Sequence, residues 1–408
     1  MNYFELYNLL KDKITYDDDF VQIDKDSNLF NVSFESQNHQ ILTGEDKYVC
    51  PAHSSLTFGP YSFENKTGIV NEILDIHDSK VKENQIFRYH IFKPAGIEKS
   101  TGIIIMFHGF NEKYWYKYLP WAKRLMDETG KTIVMFPIAF HMNRAPHEWS
   151  DRRLMYEVSE IRKKAFPNIV RSSLSNVAIS ARLQSKPERF FWGGLQTYDD
   201  VLQLINQIKS GNHPHIDSAA DIDIFSYSIG SLLSQILMMT NPEHYFDKSK
   251  LCMFCGGAVF NRMSPVSKFI LDSESNVTLY SYIIEHFDSH LKNDQRLRHY
   301  FCNEHPEGIN FRCMLDYKTM KTYREEIFRN LSNQIMAITL EKDSVIPPYE
   351  IANTLQGSAR NIPVNVEILD FPYEYKHEDP FPLAENSKEM VNQCFDQVFN
   401  KAVNFFKT

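Results

Sequence analysis

Hydrophobic residues along this chain gather into short unbroken runs, separated by polar turns and by stretches with helical spacing. TGIIIMFHGF (101–110) is apolar on consecutive rather than alternate positions, KTIVMFP (131–137) is another short buried run, and DIDIFSYS (221–228), LCMFCGG (251–257), NQIMAITLEKD (333–343) and NVEILDFP (365–372) are strand-like runs closed by turn residues. Continuous apolar runs are the pattern of strands covered on both faces. Between them, Trp121 to Thr129 carries apolar residues at helical spacing and meets a stop at Gly130; TYDDVLQLINQIKS (197–210) and IGSLLSQILMMT (229–240) read as helices, and SKEMVNQCFDQVFNKAVNFFKT (387–408) as a closing amphipathic helix. Strand and helix alternate. The expected fold is therefore α/β, with a mostly parallel central sheet and helices on both faces.

Three stretches depart from this rhythm. IFRYHIFKP (86–94) alternates apolar and polar positions in the manner of an edge strand. Roughly 139–194 and 260–330 interrupt the alternation with charged, aromatic and helix-like sequence, and both are too long to be plain loops; they are expected to be insertions that form a lid. The first 85 residues show no period that persists, so the expected division is an N-terminal extension, 1–85, followed by a catalytic unit, 86–408. A chain of 408 residues exceeds the usual size of one core, which suits a unit with additions.

Charge and composition narrow the function classes. The net charge is −8, with 44 basic and 52 acidic residues mixed along the chain, so no basic stripe awaits a phosphate backbone and nucleic acid is not an expected partner. The start, MNYFELYNLLKDKITYDDDF, lacks a basic segment followed by a long apolar run, and no stretch approaches the ~18 apolar residues of a membrane span. A soluble, unexported, cytoplasmic protein is expected. Six cysteines are too few for a disulfide scaffold, and Cys252 and Cys255 sit inside an apolar run with no histidine cluster beside them; they read as core cysteines, and no metal is expected.

The chemistry concentrates at Phe225-Ser226-Tyr227-Ser228-Ile229-Gly230, between a strand and a helix that starts at once. A serine on so tight a turn needs small residues two positions before and after it, and Ser226 and Gly230 supply them around Ser228. Glycine is usual at the first of these positions, so Ser226 is a departure. A serine hydroxyl becomes nucleophilic when a base removes its proton and a carboxylate orients the base. Asp343 ends an apolar strand in IMAITLEKDSVIPP, and His377 follows the last strand in ILDFPYEYKHEDPFP; both fall downstream in the order acid, then histidine. His108, His141 and His147 are rivals to His377 as base, but only His377 follows the last strand. His108-Gly109-Phe110 closes an earlier strand, which makes the N–H groups of Phe110 and Ile229 the candidate oxyanion donors.

These residues together, HGF after an apolar strand, SYSIG at a strand-to-helix turn, KDSVIPP and a late histidine before a terminal helix, resemble the α/β-hydrolase superfamily over roughly residues 86–408 outside the insertions. The resemblance implies a Ser-His-Asp hydrolase scaffold and names no substrate; the triad itself points to an acyl-enzyme on a small-molecule acyl substrate, and no cofactor is expected because that mechanism is complete without one. Ester cleavage is the leading expectation. A peptidase, thioesterase, acyltransferase or catalytically silent binding protein could use the same scaffold. In PIAFHMNRAPHEWSDRR, Arg144 and Trp149 follow a strand on the same edge and are candidate substrate contacts, with a plain solvated loop as the alternative.

Overall fold

The six strand-like runs form six parallel strands of one sheet in the computed structural model of the protein. The structure describes residues 1–44, 48–50, 52–53, 57–58, 66–302 and 305–408. In chain order the strands of the large sheet are β1 (Phe20–Gln22), β2 (Ser27–Glu35), β3 (Ile86–Pro94), β4 (Ser100–Phe107), β5 (Thr132–Met135), β6 (Ile216–Tyr227), β7 (Leu251–Phe254), β8 (Ile335–Leu340) and β9 (Asn365–Leu369). Their spatial order is β1-β2-β3-β5-β4-β6-β7-β8-β9, antiparallel among the first three and between β3 and β5, parallel from there on. This is the α/β-hydrolase fold.

Side-chain alternation assigns the two faces. Ile103, Ile105 and Phe107 of β4, with Ile222 and Ile224 of β6, enter one core, while Ile104, Met106, Phe225 and Tyr227 enter the other. The main helices, again in chain order, are α1 (Tyr3–Lys13), α2 (Leu119–Thr129), α3 (Arg152–Ala165), α4 (Val177–Ser185), α5 (Arg189–Lys209), α6 (Ile229–Thr240), α7 (Ser273–Tyr280), α8 (Gln295–Phe301), α9 (Pro306–Cys313) and α10 (Lys388–Lys407). Helices α1, α2 and α10 cover the face around Trp121 and Phe399; α5 and α6 cover the other. Gly130 ends α2 in the left-handed conformation, φ 71°, as a C-terminal stop should.

The N-terminal residues are woven into this sheet. Strand β2 pairs with β3 over nine positions, from Ser27–Pro94 to Glu35–Ile86, so β3 lies inside the sheet and not at its edge as its alternation suggests. Helix α1 starts from a capping box in which Asn2 and Glu5 satisfy each other's backbone N–H groups. Asp78 is buried against Arg182 and Arg189 of the first insertion.

The two insertions are locked to each other. Arg162 on α3 grips Asp272 with two parallel bonds, Nε–Oδ2 at 2.8 Å and Nη2–Oδ1 at 3.0 Å, and both side chains are wholly buried. Asp272 also caps α7 by accepting the Ser275 N–H. Helices α4 and α7 pack directly on one another. The expected upper bound of the first insertion falls inside α5, because that helix begins at Arg189.

Among the described residues, no helix is long and apolar enough to cross a membrane.

Replacing Asp272 with Ala leaves the Arg162 guanidinium buried and uncompensated. The substitution is expected to cost about 3–5 kcal/mol of unfolding free energy, read from the shift of a urea midpoint at fixed slope. A loss smaller than about 1 kcal/mol would mean that water screens the pair as it does at a surface.

Candidate active site

A parallel sheet leaves a crevice where the chain leaves neighbouring strands in opposite directions. Here the chain runs from β4 outward to β5 and then back past β4 to β6, and Phe107 at the end of β4 is in register with Ser226 near the end of β6. The loop after β4 and the turn after β6 therefore meet, and they carry His108-Gly109-Phe110 and Ser228.

Ser228 has φ 56° and ψ −123°, a conformation L-residues rarely adopt and one that costs on the order of 1–3 kcal/mol. Close packing enforces it. A Cβ on Gly230 would lie 2.8 Å from the His108 carbonyl oxygen, and one on Gly256 would lie 2.2 Å from Ser231 Oγ and 2.8 Å from the Ser228 carbonyl oxygen. The two glycines let β4 and β7 close around the turn. Ser226 stands where glycine is usual, and its buried hydroxyl donates to Ser231 Oγ at 3.2 Å in the first turn of α6. A small polar side chain fits there because that partner is waiting.

Three buried side chains form one hydrogen-bonded chain. Ser228 Oγ lies 2.6 Å from His377 Nε2, and His377 Nδ1 lies 2.7 Å from Asp343 Oδ2. The other carboxylate oxygen, Oδ1, accepts the N–H groups of Val345 at 2.9 Å and Ile346 at 3.0 Å. A carboxylate so held accepts Nδ1–H from the imidazole, which leaves the Nε2 lone pair facing the serine hydroxyl. Tyr227 fixes the histidine from below: its hydroxyl donates to the His377 carbonyl, and the two rings lie nearly parallel, 18° apart. Cys255 neighbours Asp343, and burial together with that negative charge pushes its thiol far up. Burial likewise raises Cys252. Both are protonated core thiols.

The Ile229 N–H is the first of α6, beyond the reach of intrahelical bonding. Among the described residues neither it nor the Phe110 N–H has a protein acceptor. Both residues line a small apolar cavity with Ser228. A second cavity of about 130 Å³ shares Phe110, Phe190 and Ile229 with it and runs on to Leu233, Ile236 and Phe140. Beyond Phe110, Asn111, Lys113 and Trp149 lies a wide cleft lined by both aromatic and charged side chains.

The loop that presents Phe110 is pinned from several sides. His108 is wholly buried, and burial drives its pKa well below the ordinary value. Neutral, it donates Nδ1–H to the Gly109 carbonyl at 2.8 Å and accepts the Ile138 N–H on Nε2 at 2.9 Å. Tyr118 accepts the Gly109 N–H at 2.9 Å and donates to Glu112. Asn111, at φ 59°, donates to the carbonyls of Ser175 (2.8 Å) and Phe269 (2.6 Å), one from each insertion. Sequence reasoning passed over Asn111; its only signal was an asparagine directly after HGF, a residue that tolerates the left-handed conformation.

The structure corrects the reading of Arg144. The side chain is fully buried, with Nη2 on Asp200 Oδ2 at 2.7 Å, Nε on Asn84 at 2.9 Å and Nη1 on the Pro137 carbonyl at 3.2 Å. All three guanidinium nitrogens are engaged inside the fold, so it is a structural cross-link and no substrate grip. Trp149 does border the second cavity and the outer cleft, with the Arg182 guanidinium stacked 4.2 Å from its ring. Of the rival histidines, His108 serves its loop and His147 is exposed. His141 is buried, which lowers its pKa to about 4, and it bonds to the Ala139 carbonyl through Nδ1.

The profile of a family of unknown function, DUF6051, matches residues 1–407. No curated protein matches the sequence. Similar solved structures include the carboxyl esterase 2 of the mycorrhizal fungus Tuber melanosporum, at 12% identity, 79% of this chain, 83% of that one and a TM-score of 0.43. The esterase Est22 is similar at 12% identity over 99% of this chain and 86% of that one, with a TM-score of 0.45. A thermostable esterase of Pseudomonas putida is similar at 10% identity, 79% and 78% coverage and a TM-score of 0.36.

The folded pKa of His108 lies below the unfolded value of about 6.5, so its contribution is complete above that pH and is lost as the pH falls. Comparing urea unfolding of the protein with that of His108→Gln isolates the effect. The stability advantage of the native residue is expected to shrink by up to about 1.4 kcal/mol for each pH unit between 6.5 and 5. An advantage that stays constant or grows on acidification would show that His108 takes up a proton in the folded state.

Proposed function

The chain belongs to the DUF6051 family, and from there we propose that it is a serine hydrolase cleaving an ester or related acyl bond through an acyl-enzyme on Ser228. The observation that carries this reading is the unbroken chain from Ser228 Oγ through His377 to Asp343, with distances of 2.6 and 2.7 Å, on a serine held in a strained turn.

The steps follow from the geometry. Ser228 Oγ attacks the substrate carbonyl carbon while His377 Nε2 takes the hydroxyl proton, and Asp343 steadies the resulting imidazolium. Negative charge that develops on the carbonyl oxygen meets the Phe110 and Ile229 N–H groups and the first turn of α6. His377 then returns the proton to the departing alkoxide. Water repeats the sequence in reverse and frees the acid. The mechanism is complete with protein groups alone.

The cavity lining suggests which part of the substrate is held. Phe190, Leu233 and Ile236 make an apolar slot of about 130 Å³, suited to a short acyl or alkyl chain. A longer or polar portion would extend into the cleft past Lys113 and Trp149.

Assays with p-nitrophenyl esters of increasing chain length test this. The account expects turnover to peak at short chains and Ser228→Ala to lower kcat by roughly 10³–10⁶-fold without a change in Tm. Asp343→Asn, which disturbs the tautomer of His377, should lower it by roughly 10⁴-fold. Undiminished turnover in Ser228→Ala would overturn the assignment.

A further inference from the structure

Cys50, His53, His299 and His305 line neither cavity at the serine site, and their donor atoms all fall within 4.8 Å of one another. Cys50 Sγ is 3.5 Å from His53 Nδ1 and 3.4 Å from His305 Nε2, and the Nε2 atoms of His305 and His299 are 2.9 Å apart. Donors at zinc bond lengths of about 2.0–2.3 Å in a tetrahedron stand roughly 3.3–3.6 Å apart. The two sulfur–nitrogen separations match those edges, the His299–His305 one is shorter, and the other pairs lie within 4.8 Å, so small side-chain shifts bring the four donors onto one ion. The three imidazole planes meet steeply, at 84°, 77° and 82°, with centroids 4.6–5.2 Å apart, as rings do when they converge on one point and do not stack.

A neighbouring carboxylate orients the cluster. His305 Nδ1 bonds Glu307 Oε1 at 2.8 Å, so the Nδ1 proton is donated outward and the Nε2 lone pair points into the cluster. This carboxylate–histidine arrangement is the usual support of a metal-bound imidazole. Cys50, His299 and His305 are buried. From these observations we propose that the four residues bind one zinc ion. Thiolate and imidazole donors in a tetrahedron suit zinc, and four protein ligands leave no open position, so the ion is structural. Binding releases the Cys50 thiol proton to solvent.

The placement says what the ion does. Cys50 and His53 come from the N-terminal segment, His299 from α8, and His305 precedes α9. The ion would staple that segment to the second insertion, beside the contact between the Tyr48 and Tyr300 hydroxyls. Helix α9 carries Glu307 and Phe311, which both line the apolar slot next to Ser228, so the staple also fixes one wall of that slot. Cys252 and Cys255, the close cysteine pair of the sequence, lie in the core, away from these histidines. The ligand pairs 50/53 and 299/305 are too distant in sequence to suggest one another.

The test uses the untagged full-length chain. After dialysis against metal-free buffer, elemental analysis should find about one zinc per chain, falling at least tenfold in Cys50→Ser/His305→Ala. Cobalt(II) added to the chelator-stripped protein should give the strong visible bands of tetrahedral coordination and a thiolate charge-transfer band in the near ultraviolet. This second readout needs no variant to fold. Less than roughly 0.1 zinc per chain after incubation with zinc and no cobalt bands, or full zinc content in the double variant, would overturn the proposal. Neither readout depends on hydrolase activity.

Discussion

Everything at the candidate site depends on one strained residue, Ser228, held at positive φ where β6 turns into α6. The turn aims the hydroxyl out of the sheet and brings the first N–H of α6 beside it. The strain is sustained by contacts that tolerate no added atom: Gly230 against the His108 carbonyl, and Gly256 against Ser231 and the Ser228 carbonyl. Strands β4 and β7 close on the turn only because both positions lack a side chain. The hydroxyl then meets a histidine whose ring is fixed by Asp343 at one nitrogen and whose main chain is fixed by Tyr227.

The two insertions continue the same rigidity by electrostatic means. Arg162–Asp272 joins the two insertions, Arg144–Asp200 and Asn84 tie the segment after β5 to α5 and the N-terminal region, and Asp78 is shared by Arg182 and Arg189. Each is buried, so each costs desolvation that only good geometry repays. Asn111 joins this framework to the loop that carries Phe110, through one carbonyl from each insertion.

The parallel half of the fold was legible because continuous apolar runs mark strands covered on both faces, and TGIIIMFHGF, KTIVMFP and LCMFCGG are such runs. Ser228, Asp343 and His377 could be picked out by their positions at strand ends, and the fold brings the three together. The antiparallel strands were harder. NLFNVSFE gave no sign of a partner until β3, some fifty residues later, was seen to pair with it, and that pairing moved β3 from edge to interior. Arg144 was misread for a related reason: a cation after a strand looks available for a ligand, and only the fold reveals Asp200, more than fifty residues on, as its counterion. Long-range partners leave no local period, and this is also why the pairing of Cys50 and His53 with His299 and His305 was hidden.

The most direct test of the account is covalent labelling with a fluorophosphonate, mapped by peptide mass spectrometry on native and heat-denatured protein. An activated serine reacts only while its base is hydrogen-bonded to it. The account predicts one adduct, on Ser228, in the native sample and none after denaturation. Labelling that is absent from the native protein, or that falls on another serine, would contradict it.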